Sequence, residues 1–308
     1  MKSLLAALLL LIASAVGAAP NEFVPRAESV TGAVYAIVGP LGQRSADNDG
    51  LNATFGFIEA DTGVILIDSG ASRLGAIKLA EAIRAVTTKP VRWVINTGSQ
   101  DHRWLGNDYF ARQGAEIIAL RRTAATQAQL GGQQLASLER MLGKRLQGTV
   151  ALPATTALDG DSVSIRRGGV SLTLRYTDAH FPGDAMVMMD DGKLVFAGDL
   201  VFVDRLLGVL PTSSVARAQN AFRVLAAAQP ARIVPGHGRV CDLATAQRDT
   251  GDYYDFLANV IGAAAEDMAS MDDTLAQHAD LPAFRHLQNY DSLHRANMNR
   301  AFTEFESQ

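Results

Sequence analysis

Asp101, His102, His180, Asp199 and His237 are the residues of this chain whose types and spacing could do chemistry. His102 ends Asn96-Thr97-Gly98-Ser99-Gln100-Asp101-His102, which follows the strand-like run Val91 to Ile95. His180 lies in Asp178-Ala179-His180-Phe181-Pro182-Gly183-Asp184, after the run Val170 to Tyr176. Gly198-Asp199 follows Leu194 to Ala197, and Pro235-Gly236-His237-Gly238 follows Ile233-Val234. α/β proteins build sites at such strand ends, where a rigid strand delivers a side chain to an open loop. Neutral imidazoles and carboxylates ligate zinc, and iron or manganese accept the same donors. One such histidine reads equally well as a core or surface residue. Four such contexts in one order converge on a metal centre. His278, His286 and His294 lie in a helical tail with no comparable setting.

The elements that must position these residues can be read from periodicity. Strand-like runs occur at 33–38, 53–58 and 63–68, the last two joined by Ala60-Asp61-Thr62-Gly63, which suits a hairpin turn. Leu74, Ile77, Leu79 and Ile83 mark an amphipathic helix over 74–86, stopped by Lys89-Pro90. A short buried strand at 91–95, a helix beginning near Trp104, a strand at 115–120 and a mainly helical stretch over 120–146 follow. A β-rich middle covers 162–165, 170–177, 185–189 and 194–197, with Asp191-Gly192 as a hairpin signal. Residues 215–228 read as a helix capped by Ser213 or Ser214 and closed by Pro230. From Cys241 to Glu306 the pattern is helical, broken near Ser270 and Leu281-Pro282. No proline-rich or glycine-serine linker divides the chain. The expectation is one α/β domain over 19–308, of which about 241–308 is a helical C-terminal extension.

Residues 1–18 read as a secretory signal peptide: Lys2, an apolar stretch from Leu4 to Ile12, and small residues around Ala18 and Ala19. That stretch is too short to span a bilayer comfortably, a retained N-terminal anchor being the alternative reading, and no later segment is apolar enough. A periplasmic or secreted protein without a membrane span is expected. A net charge of -4 gives no electrostatic footprint for nucleic acid. Cys241 is the one cysteine, so no internal disulfide can form, and it reads as a small packing residue.

Together these segments resemble the metallo-β-lactamase superfamily, from about Val34 to Gly238. The resemblance is carried by Ile67-Asp68-Ser69-Gly70, Asn96-Thr97, Asp101-His102, His180 through Asp184, Gly198-Asp199 and Pro235-Gly236-His237-Gly238. It implies an αββα sandwich of two mixed sheets with outer helices, metals at one edge, and hydrolase activity. Residues 100–107 and the tail from His294 to Glu306 are similar to the SoxH-related, quinoprotein-associated periplasmic branch. That similarity implies a zinc metallohydrolase with a small-molecule substrate, tied to a periplasmic quinoprotein or cytochrome system.

The chain departs from the family at its most informative motif. Members read His-x-His-x-Asp-His after the Asn-Thr pair; here the stretch is Gly98-Ser99-Gln100-Asp101-His102-Arg103. Anchoring Asp101-His102 on the family's Asp-His puts Thr97 and Ser99 where the upstream histidines belong. An ungapped match through Gly106-Asn107 puts Gly98 and Gln100 there, and His102 and Arg103 on the Asp-His. Both registers lose the two upstream histidines. The second sets a permanently charged guanidinium inside the cluster, where it would oppose a cation, so the first is preferred. The resemblance then implies one metal, zinc, held by Asp101, His102, Asp199 and His237, with His180 as a weak fifth ligand or a substrate contact. The ion would activate water and polarise a scissile carbonyl or phosphoryl oxygen. Asp101 would orient or deprotonate that water, and Gln100 and Arg103 would contact an anionic substrate; Arg103 reads equally as an ion-paired side chain. Trp104 reads as packing. The rival reading is a non-catalytic binding module that keeps the fold and a structural metal. The missing histidines disfavour a β-lactam-resistance enzyme.

Overall fold

A computed structural model describes residues 23–189 and 192–307; the expected leader lies outside them. The first half of the chain builds a seven-stranded sheet in sequence order: β1 (Ala27–Thr31), β2 (Val34–Val38), β3 (Thr54–Glu59), β4 (Val64–Ile67), β5 (Val91–Ile95), β6 (Glu116–Leu120) and β7 (Thr156–Leu158). Its first four strands pair antiparallel, β1–β2 and β3–β4 through short turns and β2–β3 across the longer loop 39–53, and β4 to β7 run parallel. Parallel pairing needs crossovers. These are α1 (Arg73–Arg84) between β4 and β5, α2 (Asp101–Trp104) and α3 (Asn107–Ala111) before β6, and α4 (Arg121–Leu142) before β7. The second sheet, in spatial order β12-β11-β10-β9-β8, comprises β8 (Ser162–Arg167), β9 (Val170–Tyr176), β10 (Ala185–Met189), β11 (Leu194–Phe196) and β12 (Arg232–Val234). Only its β11–β12 pair is parallel, joined through α5 (Val215–Ala227). Both sheets are therefore mixed.

Side-chain alternation decides which core each residue enters. Ile65 and Ile67 of β4 meet Leu174, Val187 and Phe196 between the sheets, whereas Val64 and Leu66 face outward to Leu79 and Ile83 of α1. On the outer face of the second sheet, Val195 and Ile233 pack with Phe222 and Leu225 of α5 and with the C-terminal helices. The layers are helix, sheet, sheet, helix, as the sequence led us to expect. Ser72 caps α1 by accepting from the Gly75 amide, and Ser214 caps α5 in the same way from Arg217.

The C-terminal residues are part of the outer helical layer. A continuous helical run begins with α6 (Leu243–Ala246) and continues through α7 (Asp252–Phe256) to α8 (Ala263–Glu266), with wider π-type turns at Gln247–Gly251 and Leu257–Gly262. After α9 (Met271–Gln277), α10 (Tyr290–Glu306) closes the layer, and Tyr253, Leu257, Ile261, Met298 and Phe302 share one core with the second sheet. His294 stacks on Tyr290 and bonds Tyr253, so it serves packing. Cys241 is buried, and burial pushes its thiol up to about 12, which leaves it unreactive. Among the described residues, no helix is long and apolar enough to cross a membrane.

Candidate metal centre

The C-terminal ends of β5, β11 and β12 deliver His102, Asp199 and His237 to one point. Their ligand atoms lie within 4.8 Å of one another, and all three residues are buried. Nε2 of His102 is 3.2 Å from Asp199 Oδ2, and Nε2 of His237 is 3.2 Å from Asp199 Oδ1. His102 Nε2 has no hydrogen-bond partner. His237 Nδ1 lies 2.9 Å from the Asn52 carbonyl oxygen, which can only accept, so we assign the ring proton to Nδ1. Burial, with Arg205 and Arg103 adding to it, pushes this imidazole down to about 3 even beside Asp199. At neutral pH a lone pair on His237 Nε2 therefore faces an anionic oxygen.

Arg103 lies inside this cluster and is 1% exposed. Nε donates to Asp199 Oδ2 at 3.1 Å, and Nη2 donates to Asp199 Oδ1 and, at 3.0 Å, to the Gly236 carbonyl. Nη1 reaches Asp68 Oδ2 at 3.1 Å. Burial alone would raise the Asp199 carboxyl; Arg103 and then His102 reverse this and hold it well below the usual range. Asp68, in the left-handed backbone region at φ 64°, also accepts from the Thr97 amide and hydroxyl, both at 2.7 Å. The guanidinium thus fastens the β4, β5, β11 and β12 ends together. This placement is the one the ungapped register describes, and a substrate contact by Arg103 has no surface through which to occur.

Asp101 is directed elsewhere. Its carboxylate pairs with Arg44 and accepts from the His102 amide at 2.7 Å, and it is outside the group of converging ligand atoms. Burial opposes ionisation, but Arg44 and His102 outweigh it and bring Asp101 down to about 2. A carboxylate so stabilised is a weak base. His180 also lies outside the converging group but lines the cavity beside it, as does Gln100. Trp104 is fully buried and donates to the Ser99 carbonyl, which is a packing role.

Two glycines show how closely the cluster is packed. A Cβ on Gly98 would lie 2.7 Å from Asp184 Oδ1, and one on Gly236 would lie 2.7 Å from Arg103 Nη2 and 2.3 Å from the Gly198 carbonyl oxygen. The position that the ungapped register assigns to the family's first histidine is thus filled by Asp184. Asp184 Oδ1 has no partner, and burial together with Asp199 raises its carboxyl well above the usual range. Asn96 and Asn107 exchange reciprocal amide hydrogen bonds at 2.8 and 3.1 Å, which fixes the loop that carries residues 98–103.

Burial pushes His180 down to about 4. A histidine held neutral in the folded state is protonated first in the unfolded chain, so its contribution is present above about 6.5 and is lost as pH falls. Below that pH the metal-free protein is expected to lose about 1.4 kcal/mol per pH unit, down to about pH 4, relative to His180→Phe. Urea unfolding of both proteins between pH 7.5 and 4.5 measures this. The comparison cancels Asp184, which titrates with the opposite sign, and parallel profiles would exclude a neutral buried His180.

With this geometry in view, comparison with known proteins defines the class. The family model of the metallo-beta-lactamase superfamily matches residues 48–237. The chain belongs to that superfamily. Among solved structures it is similar to a metallo-beta-lactamase from Pontibacter korlensis, at 19% identity and TM-score 0.56, over 72% of this chain and 95% of that one. It is similar to the sec-alkylsulfatase Pisa1 from Pseudomonas sp. at 14% identity and TM-score 0.71, over 91% of this chain but only 50% of the sulfatase. TMB-1 matches at 17% identity and TM-score 0.56, over 76% of this chain and 99% of that one. At these identities the likeness is one of fold. No curated protein matches in sequence.

Proposed function

We propose that this chain is a metal-dependent hydrolase that holds one ion, zinc, on His102, Asp199 and His237. The supporting observation is the electron-rich core of the cluster: two imidazole nitrogens, one of them without a partner, face the oxygens of an ionised carboxylate. A cation resolves that arrangement, and two histidines with one carboxylate suit zinc, while iron and manganese take the same donors. When bound, the ion would supply Lewis-acid polarisation and a lowered pKa for water. His180, neutral and beside the cavity, can accept a hydrogen bond from water there. Gln100 can hydrogen-bond the substrate.

One observation favours the second reading, a binding module with a structural ion: Arg103 already donates to both oxygens of Asp199 and so weakens it as a ligand. Metal analysis together with turnover of thioesters, lactones, lactams and phosphodiesters separates the two. The expected result is one ion per chain and hydrolysis of at least one class. Full occupancy with no turnover would leave the binding module. We also read the protein as exported and as serving a periplasmic quinoprotein or cytochrome system, on the leader-like residues 1–18 and the segment 100–107. The mass of the analysed chain reports whether residues 1–18 have been removed.

A further inference from the structure

Residues 206–214 form neither helix nor strand, although Leu206, Leu207 and Val209 are buried. A buried irregular segment has to find partners for its amides and carbonyls outside itself. The C-terminal helix α10 and the residues just before it supply them. The Leu206 amide donates to the Gln288 carbonyl at 2.9 Å. Asn297, fully buried, accepts from the Val209 amide through Oδ1 and donates to the Leu207 carbonyl through Nδ2, both at 2.8 Å. Nδ2 also lies 3.4 Å from the Tyr253 hydroxyl. Arg300 donates to the Val209 carbonyl. Further along α10, Glu304 accepts from the Ser214 hydroxyl and the Val215 amide, both at 2.7 Å.

The residue bracketed by the Asn297 amide is Gly208. A Cβ there would meet nothing within 4 Å, and its φ is not in the left-handed region, so neither space nor conformation calls for glycine. Glycine leaves this peptide free to turn, and its direction has to be imposed by neighbours. That direction matters to His180. The His180 ring bonds the Gly208 backbone, and the bond favours the protonated ring, so the acceptor is the carbonyl. The ring proton of neutral His180 therefore sits on the nitrogen facing Gly208, and the other nitrogen is left as an acceptor. The backbone around His180 is tied to the same segment: the Ser213 hydroxyl donates to the His180 carbonyl at 2.6 Å, and the Ser214 amide to the Ala179 carbonyl at 2.9 Å. His180, Gly208 and Leu293 of α10 all line the cavity of about 160 Å³ beside the metal centre.

We infer that Asn297 is a positioning residue: by gripping the backbone on both sides of Gly208, it holds the His180 ring in the one tautomer that offers an acceptor nitrogen to the cavity. α10 thereby acts on the site from behind its wall. Asn297 reaches neither the cavity nor the metal ligands, and its whole influence passes through Gly208. The inference rests on the hydrolase reading only in giving the His180 acceptor a role in turnover; the clamp itself follows from Asn297 and Gly208.

Long-range nitrogen–proton NMR spectra of the histidine rings, recorded on the metal-free full chain at neutral pH, test this. His180→Phe identifies the signals of His180. In wild type its two ring nitrogens should resonate far apart, as in a single neutral tautomer. Asn297→Leu, which fills the same space without the amide, should draw them together as the tautomers average. Asn297→Ser, small enough to admit a bridging water, should do the same to a lesser degree and serves if Asn297→Leu does not fold. Glu304→Ala removes the anchor at the other end of the segment; it should lower the melting temperature yet leave the His180 signals in place. Unchanged His180 signals in the folded Asn297 variants overturn the clamp. So does equal averaging in Glu304→Ala, which would mark Asn297 as structural only. With a hydrolysed substrate in hand, Asn297→Leu should lower kcat about 10- to 100-fold and leave KM nearly unchanged, the signature of a misdirected group. Averaged signals in a chain that hydrolyses nothing keep the clamp and defeat the hydrolase reading instead.

Discussion

Arg103→Met is expected to destabilise the protein by about 3–5 kcal/mol, the cost of removing one partner from a buried charge cluster. The substitution keeps the length of the side chain and removes the charge. Asp199 and Asp68 would then lie buried at the ends of β11 and β4 with no cation between them. The loss is not confined to one pair, because the same guanidinium also donates to the Gly236 carbonyl and so holds the loop that carries His237. Arg103→Lys should recover only part of the loss. An ammonium is a point charge that cannot fork onto both oxygens of Asp199 while reaching Asp68. Urea unfolding of the metal-free proteins provides the measurement, since bound metal would add its own stabilisation. A change below about 1 kcal/mol, the usual worth of a surface ion pair, would show that the cluster is compensated by other means.

The second large effect concerns metal content. Wild type should hold one ion per chain, and His102→Ala and His237→Ala should each reduce affinity by more than the roughly 10- to 100-fold cost of disturbing a residue behind the ligands. Asp101→Ala should retain the ion, because its carboxylate is occupied by Arg44 and lies outside the converging group. Equilibrium dialysis followed by elemental analysis reads all four proteins. Loss of the ion in a folded Asp101→Ala would restore Asp101 as a ligand and return the site to the register in which it aligns with the family's aspartate. Two ions in wild type would mean that Asp184 or His180 supports a second position.

Much of the fold was legible because local patterns repeat faithfully. The unbroken apolar run Val64-Ile65-Leu66-Ile67 marks a strand buried on both faces, and the helix with Leu79 and Ile83 shows its apolar face in the spacing alone. β1 and β7 were not legible. Ala27–Thr31 is a mostly exposed edge strand, and Thr156–Leu158 is three half-buried residues, so neither carries an apolar signature. Their strand character comes from pairing with β2 and β6. The tail read as an extension because its helices look self-contained in sequence. Packing of Tyr253 and Phe302 against the second sheet makes them one layer of the sandwich.

The sequence by itself determined the superfamily and the order of the site segments. Those properties reside in residue type and spacing along the chain. It could not decide which of two neighbouring residues turns inward. Asp101, His102 and Arg103 are consecutive on one short helix, and their directions depend on what the other strand ends present. Asp68 and Asp199 offer two buried carboxylates that only a cation can satisfy, so Arg103 turns in and Asp101 turns out to Arg44. Charge balance in a buried space is a property of neighbours in three dimensions, and the tertiary structure decided it.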